Sequence, residues 1–563
     1  MGLRLAPTLL ALLLLVPVAG GLIGVLLPAF GYLPWLGYDA VSLDPWRRLF
    51  ATPGLGPSVR LSLASGLTAT GAALAITALF LAAFHGTAPF RAARRLLSPL
   101  LSIPHAAAAL GLAFLVAPSG WILRLLSPEL TGFVRPPDFL IVHDRFGLAM
   151  AAGLTVKEIP FLFLMALAAL PQIHFRRDLW IAASFGYGRV AGWLLVVFPQ
   201  VYSQIRLPVF AVLAYAVSVV DVAIILGPTT PPTLAVQLVD WMNDPDLSMR
   251  LKASAGALLQ LALAGLAVLI WFGFERLAAA AGRAVLTRGW RLRSDGLLRA
   301  AAALVMATAM AATAIGLALM ALWSVSGPWR FPDAWPSGLT LRIWMTHSAS
   351  LADAAATTVA IGLPAVAVAL ALVLAALESR ERSAGGKPLS LPLVAGLYAP
   401  LLVPQVAFLF GLQVAFLSAG LDASLAALVL VHLVFVVPYV FFSLVEPWRA
   451  WDRRYALVGH ALGHGANAVF WRIRLPMLLR SVLTAAAVGF AVSAGLYLPT
   501  LLIGGGRFAT VTTEAVALSA GGNRRIIGAY ALMQMALPFL GFMAAAGITA
   551  LAVRKRRGLW AGR

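Results

Sequence analysis

The sequence predicts an all-α polytopic membrane protein of about twelve transmembrane helices, arranged as two tandem repeats of six spans. Three observations carry that prediction. Hydrophobic residues make up 61% of the 563 and charged residues only 11%, giving a mean hydropathy of +0.91. The apolar residues gather in runs long enough to cross a bilayer. Short polar devices recur at the same spacings in the two halves of the chain.

A chain this apolar has lipid as its main solvent. It holds no cysteine, which excludes a disulfide framework and a Cys-ligated metal. The formal charge of +21 does not mark a nucleic-acid partner. Of 42 basic residues only Lys157, Lys252, Lys387 and Lys555 are lysines, and the arginines lie scattered in short loops without interleaved aromatics.

A spanning helix needs about 20 mostly apolar residues. In the first half such runs occupy 5–28, 58–84, 96–117, 146–170, 202–226 and 253–274; in the second, 299–324, 348–376, 391–417, 425–447, 479–503 and 526–552. None reads as alternating barrel strand, so helices are expected. With the N-terminus inside, the inside segments hold roughly twice the Lys and Arg of the outside ones. Both termini are therefore expected in the cytoplasm. The first span runs into "LPAFGYLPW" and not into a small-residue cleavage site, so it reads as a retained helix. The basic loop "FERLAAAAGRAVLTRGWRLRSDGLLR", 274–299, joins the halves. The expected division is 1–280 for the first repeat, 281–298 for a cytoplasmic linker and 299–563 for the second repeat.

The repeat rests on matched intervals. Pro104 precedes Gly111 by seven residues, as Pro404 precedes Gly411. Pro160 precedes Gly186 by 26, and Pro438 precedes Gly463 by 25. Arg176-Arg177 stands ahead of Gly186 as Arg453-Arg454 stands ahead of Gly463. From Pro199 to Gly227 and from Pro476 to Gly504 the interval is 28. Copies of six spans share one topology. They are expected to be related by an axis along the membrane normal, with a pathway between them.

The doubled device lies between the fourth and fifth spans: "LWIAASFGYGRVAGWLLVVFP" (179–199) and "ALVGHALGHGANAVFWRIRLP" (456–476). "DLWIAASF" and "YALVGHAL" can form short amphipathic helices. Gly186 and Gly463 would end them, because glycine takes the left-handed conformation without strain. A second short helix would run to Pro199 or Pro476, where proline stops it or begins the next span. The bland alternative is an interfacial helix pair. Two copies at matched spacing point instead to cytoplasmic docking knobs for a two-fold partner.

On these residues the chain resembles the fused permeases of binding-protein-dependent ferric-iron, thiamine and related ABC importers. The doubled loop is similar to their "EAA" loop. The resemblance covers nearly the whole chain and implies a type I ABC-importer permease fold in the bacterial inner membrane. It implies two copies of a cytoplasmic ABC ATPase, which hydrolyse the ATP, and a periplasmic substrate-binding protein, with no cofactor bound by this chain. Carried over, the coupling positions are Ala182, Gly186 and Pro199, then Gly459, Gly463 and Pro476. The family's leading Glu falls on Trp180 and Leu457, and Phe198 replaces a usual Leu that Leu475 keeps. No lysine sits in G-x-x-x-x-G-K-[ST]; in "SAGGKPLS" Pro follows Lys387, so the chain reads as a transporter subunit and not an ATPase. H-E-x-x-H and G-x-S-x-G are absent from the sequence as well.

Ionisable residues inside spans are costly and are pathway candidates by default. Lys157 and Glu158 stand mid-span, about 100° apart on a helix, and either face the pathway or pair between helices. Asp221, with Ser218 expected one turn away, lies in the span that follows the first loop. His105 and Gln405 follow the matched prolines, and Tyr497 lies near the end of span eleven. Each of these three, with Gln413 and His432, suits a plain interhelix hydrogen bond better than a ligand contact. Asp353 reads as interfacial. The competing function is an ion-coupled secondary transporter with two six-span halves, which would lean on Glu158 or Asp221. Two acids and one lysine do not choose among thiamine, iron and other small solutes.

Overall fold

The computed structural model describes residues 2–100, 102–291, 293–384 and 390–554. Gly385, Gly386 and Lys387 of "SAGGKPLS", and the terminal residues from Lys555 expected in the cytoplasm, lie outside the described residues. The described residues form helices and two isolated bridges but no strand. Among the described residues ten helices are long and apolar enough to cross a membrane, or up to twelve if two bent pairs each count as one. Helices close their own backbone hydrogen bonds, which lipid cannot do for them.

In chain order, α1 (Gly2–Ala29) and α2 (Leu55–Phe84) are followed by α3 (Ala88–Leu100) and α4 (His105–Val116). Then come α5 (Leu148–Ala169), the short α6 (Phe175–Ser184) and α7 (Arg189–Ser218). The half ends with two short helices, α8 (Asp221–Leu226) and α9 (Leu234–Met242), and the long α10 (Met249–Thr287). The second half begins with α11 (Gly296–Ser324) and α12 (Ser348–Ala384), followed by α13 (Leu391–Leu402) and α14 (Gln405–Ser418). It continues with α15 (Leu425–Arg449), α16 (Arg454–Ala461), α17 (Ala466–Met477) and α18 (Leu479–Gly495). It closes with α19 (Leu498–Gly504), α20 (Val511–Ser519) and α21 (Arg524–Arg554).

Four of the expected spans are not continuous. The third breaks before α4 and the ninth between α13 and α14, with Pro104 and Pro404 capping the second segment in extended conformation. Proline lacks an N–H and pushes the residue before it away from helix; α13 and α14 meet at 104°. The fifth breaks at Val219-Val220 and the eleventh at Leu496-Tyr497. No proline forces the fifth break, and hydropathy runs straight through it.

The carbonyls freed by these two breaks are satisfied in parallel ways. Gln260 Nε2 on α10 donates to Val217 O at 3.3 Å. At the matching place in the second half, Thr512 Oγ1 donates to Ala494 O at 2.5 Å and itself accepts from Gln534 Nε2 at 2.8 Å. The first N–H groups of α9 and α20 are matched too. Leu234 N–H donates to Ser62 Oγ on α2 at 3.0 Å, and Val511 N–H donates to Thr358 Oγ1 on α12 at 3.1 Å.

The opening helix of each half packs on the other half. α1 lies against α12, α13 and α14, while α11 lies against α2 and α4. Glycine makes both crossings possible, since two backbones approach closely only where no side chain intervenes. A Cβ on Gly411 would stand 2.0 Å from Gly21 O, and one on Gly316 would stand 2.8 Å from the carbonyl of Gly111. Gly111 and Gly411, which mark the repeat in sequence, are thus the seats of the reciprocal crossings.

Gly411→Ala should lower the stability of the purified protein by about 1–3 kcal/mol through overpacking against backbone. Gly265→Ala, where a Cβ meets nothing within 4 Å, should be neutral or stabilising. Equal thermal midpoints for the two variants would remove the close crossing from the account.

Candidate functional site

The two doubled loops fold into the same elbow. α6 ends at a left-handed Gly186 with φ +80°, and α16 ends at Gly463 with φ +82°. In the first, Tyr187 N–H reaches Ala182 O at 3.1 Å and Gly186 N–H reaches Ala183 O at 2.9 Å. In the second, His464 N–H reaches Gly459 O at 3.0 Å and Gly463 N–H reaches His460 O at 2.9 Å. This pairing closes the orphan carbonyls of a helix end and requires the left-handed residue.

Beyond each turn a glycine, Gly188 or Gly465, starts the next helix. Of the two expected roles, stopping the helix or beginning the next span, the prolines take the second: Pro199 and Pro476 sit in the first turn of the α-helical segment that follows. In the first elbow the helix widens into a π-turn over Trp193–Val197 and continues through Pro199 as one helix to Ser218. In the second the π-turn covers Phe470–Arg474, Pro476 is passed, and the axis then bends by 72° at Leu478. In both, the residue before the proline donates five residues back, Phe198 to Trp193 and Leu475 to Phe470. The widened turn accommodates a residue with no N–H to offer.

The arms of each elbow touch at one small residue. Ala182 and Gly459 are buried. A Cβ on Gly192 would lie 3.1 Å from Ala182 Cβ; a Cβ on Gly459 would lie 2.9 Å from Ile473 and 3.0 Å from Val469. The first elbow therefore pairs Ala with Gly, and the second pairs Gly with Val at the same two positions, with the larger side chain moved to the other arm.

Outward, the elbows expose matching apolar side chains. Trp180, Ile181 and Phe185 are 79%, 49% and 64% exposed, and Leu457, Val458 and Leu462 are 66%, 59% and 72% exposed. Each elbow is tied to the end of its half's second helix, with opposite polarity. Arg189 donates to Ala82 O and His85 O at the end of α2, at 3.3 and 2.5 Å. Arg382, near the end of α12, donates to Asn467 Oδ1 and Ala466 O at 2.8 and 3.2 Å. Glu378 adds a bond to buried Arg474 at 2.5 Å, and Arg453 pairs with Glu381 at 2.8 Å. Burial, then Arg189 and Arg176, hold the His85 imidazole below its ordinary pKa.

A second cluster forms at the broken helices. His105 Nε2 lies 2.9 Å from Glu158 Oε1, and its ring is 4.6 Å from that of Tyr215. The Tyr215 hydroxyl faces Asp221 Oδ1 at 3.5 Å. Glu158 and Asp221 are both buried. Tyr497 is half-buried at the break between α18 and α19. A Cβ on Gly495 would lie 3.6 Å from Pro104 Cβ, so the break in the second half lies close to the start of α4.

Other candidates fall elsewhere. Lys157 is buried and lines a small cavity with Leu112, Ala312 and Thr313. Ser218 is not the expected helical neighbour of Asp221: the chain breaks between them, and Ser218 Oγ donates back to Ala214 O at 2.7 Å. Gln405 is half-buried at the start of α14. It takes the place of His105, but the position matching Glu158 is Val436, so no acid answers it. Asp353 is exposed. Buried His432 joins Ser493 Oγ at 2.8 Å to Thr500 Oγ1 at 3.1 Å, across the break between α18 and α19. Tyr215, Tyr439, Gln260 and Gln534 escaped the sequence reading, although they are polar points within spans of the same kind as Gln405, Gln413 and Tyr497.

Apolar spanning helices around a buried polar cluster, with two matched solvent-facing elbows, define a polytopic membrane transporter. The chain belongs to the ABC transporter permeases. It is 33% identical over 525 residues to the inner membrane ABC transporter permease protein YnjC of Escherichia coli (strain K12), covering 92% of this chain and 93% of that protein. It is also 33% identical over 120 residues to the molybdenum transport system permease protein ModB of Mycobacterium bovis and of Mycobacterium tuberculosis, 21% of this chain and 46% of each of theirs. No family model matches the chain. Membership decides for the permease over the ion-coupled secondary transporter.

The exchanged side chains predict an interaction between the arms. Gly192→Val should destabilise the chain, and adding Ala182→Gly should recover part of that loss. The coupling free energy in a double-mutant cycle on thermal stability should be about 1 kcal/mol. Strictly additive effects would show that the arms do not bear on each other.

Proposed function

We propose that this permease is the membrane subunit of an importer, fused from two six-span repeats and driven from outside itself. The observation that supports it best is the pair of elbows: one turn geometry, built twice, presenting three apolar side chains at the same three positions. Each elbow seats in one copy of a cytoplasmic ATPase, and closure of the ATPase pair rocks the halves about the broken helices. Both termini then face the cytoplasm of a bacterium whose inner membrane holds the chain. A periplasmic binding protein delivers the solute, a small molecule of the thiamine or iron kind, and ATP is hydrolysed by the partner subunits alone. Trp180 and Leu457 occupy the place of a carboxylate, so seating relies on apolar burial more than on a salt bridge. The cluster of His105, Glu158, Tyr215 and Asp221 lines the route between the halves; Tyr497 closes it from the second half.

Gly186→Val together with Gly463→Val places β-branched residues in the left-handed region, at a cost of roughly 1–2 kcal/mol each. The doubly substituted chain should reach the membrane but lose uptake by more than about tenfold, while ATP hydrolysis by bound subunits persists. Normal uptake would refute the role of the turns. Glu158→Gln with Asp221→Asn should leave ATPase binding intact and slow uptake. If uptake by that pair equals wild type, the cluster is merely structural.

A further inference from the structure

The basic segment between α10 and α11 does more than join two halves. Four contacts from Arg291 and Asp295 converge on the first elbow, and Arg293 stands close by. Arg291 O accepts from the N–H of Gly188 at 3.2 Å. The Arg291 guanidinium donates to the Tyr187 hydroxyl at 2.7 Å and lies 4.7 Å from the centre of that ring. Asp295 Oδ2 accepts from Val190 N–H at 3.1 Å. Arg293 stands beside the turn itself, 3.4 Å from where a Cβ on Gly186 would lie.

The Asp295 contact carries the most meaning. Asp295 occupies the N-cap position of α11 but makes no side-chain hydrogen bond to that helix. The N-cap of α7 is Gly188, which has no side chain with which to cap. A helix start leaves its first N–H groups unpaired, and a carboxylate there satisfies one and suits the positive end of the helix dipole. Asp295 thus leaves its own helix uncapped and caps a helix 105 residues away. In the second elbow the corresponding glycine, Gly465, is equally bare. There the support comes from Arg382, Glu378 and Glu381 on α12.

We infer that Arg291 and Asp295 are positioning residues that brace the first elbow, doing from the interdomain segment what the α12 charges do for the second. The two elbows are equal in shape and unequal in support. Only the first is braced by the segment that joins the halves. On the docking reading above, the brace keeps the first ATPase seat in register, and slackening it weakens one seat of two.

Hydrogen exchange of the full chain in lipid nanodiscs tests this without any ATPase present. Arg291→Ala with Asp295→Ala should speed amide exchange across 185–192 by about tenfold, the scale set by a lost cap and a lost hydrogen bond. Exchange across 462–469 should not change. Asp295→Asn, which still offers an acceptor to Val190, should restore slow exchange when Arg291 is intact. Unchanged exchange in the first elbow, or equal acceleration in both, would overturn the brace. The partner arm then counts ATPase copies on detergent-purified complexes: two on the wild-type chain, fewer on the doubly substituted one. A wild-type chain that binds no ATPase at all would sink the docking reading and leave the brace standing on the exchange data.

Discussion

A membrane-spanning chain cannot leave a backbone carbonyl facing lipid, and much in this fold follows from that constraint. A permease needs irregular backbone at depth, because continuous helices give polar groups few places to converge. Each interruption frees carbonyls that must be answered from within the protein. Here Gln260 answers Val217 O directly, and Gln534 acts through Thr512 on Ala494 O. The breaks are therefore specified by side chains on the last long helix of each half. That ties the ends of α7 and α18, where Asp221 and Tyr497 stand, to α10 and α21 rather than to local propensity.

The glycine crossings add a second constraint. Because α1 rests on α14 and α11 on α4, each half contributes a helix to the other's flank. A cut within 281–298 divides the sequence but would not yield two separable bodies, since the Gly21–Gly411 and Gly111–Gly316 crossings still hold one half against the other. Movement between the halves has to carry these crossings along or slide them. Backbone-to-backbone contact without interdigitating side chains offers less resistance to sliding than a knobs-into-holes seam.

The elbows were legible in the sequence because their geometry depends on residues close together in the chain. A left-handed turn selects glycine at Gly186 and Gly463, and the interval to Pro199 and Pro476 follows from helix lengths. The span count was legible because hydropathy is a sum. Backbone direction is not a sum, so the runs 202–226 and 479–503 gave no sign of turning at Val219 and Leu496. The matched prolines Pro104 and Pro404 were visible, yet their effect on the axis was not, since proline is tolerated inside other helices here, as at Pro160 and Pro438. The polar cluster was half legible. His105, Glu158 and Asp221 stood out as ionisable; their convergence depends on partners such as Tyr215, 110 residues from His105 in the chain.

Comparison of the elbows separates what is fixed from what is free. Turn dihedrals, π-turns and exposed apolar positions are the same in both. The chemistry beneath them is not: Ala182 against Gly192 becomes Gly459 against Val469, and an arginine on the elbow reaching helix carbonyls becomes an arginine on the helix reaching elbow acceptors. The two elbows thus keep one outer shape over two different sets of supporting contacts. A structural trim at the membrane boundary would not require three exposed apolar positions to match in register over unlike supports. On the docking reading proposed above, a partner with two identical clefts would supply that requirement, because any mismatch between the two seats would be felt at each closure of the pair.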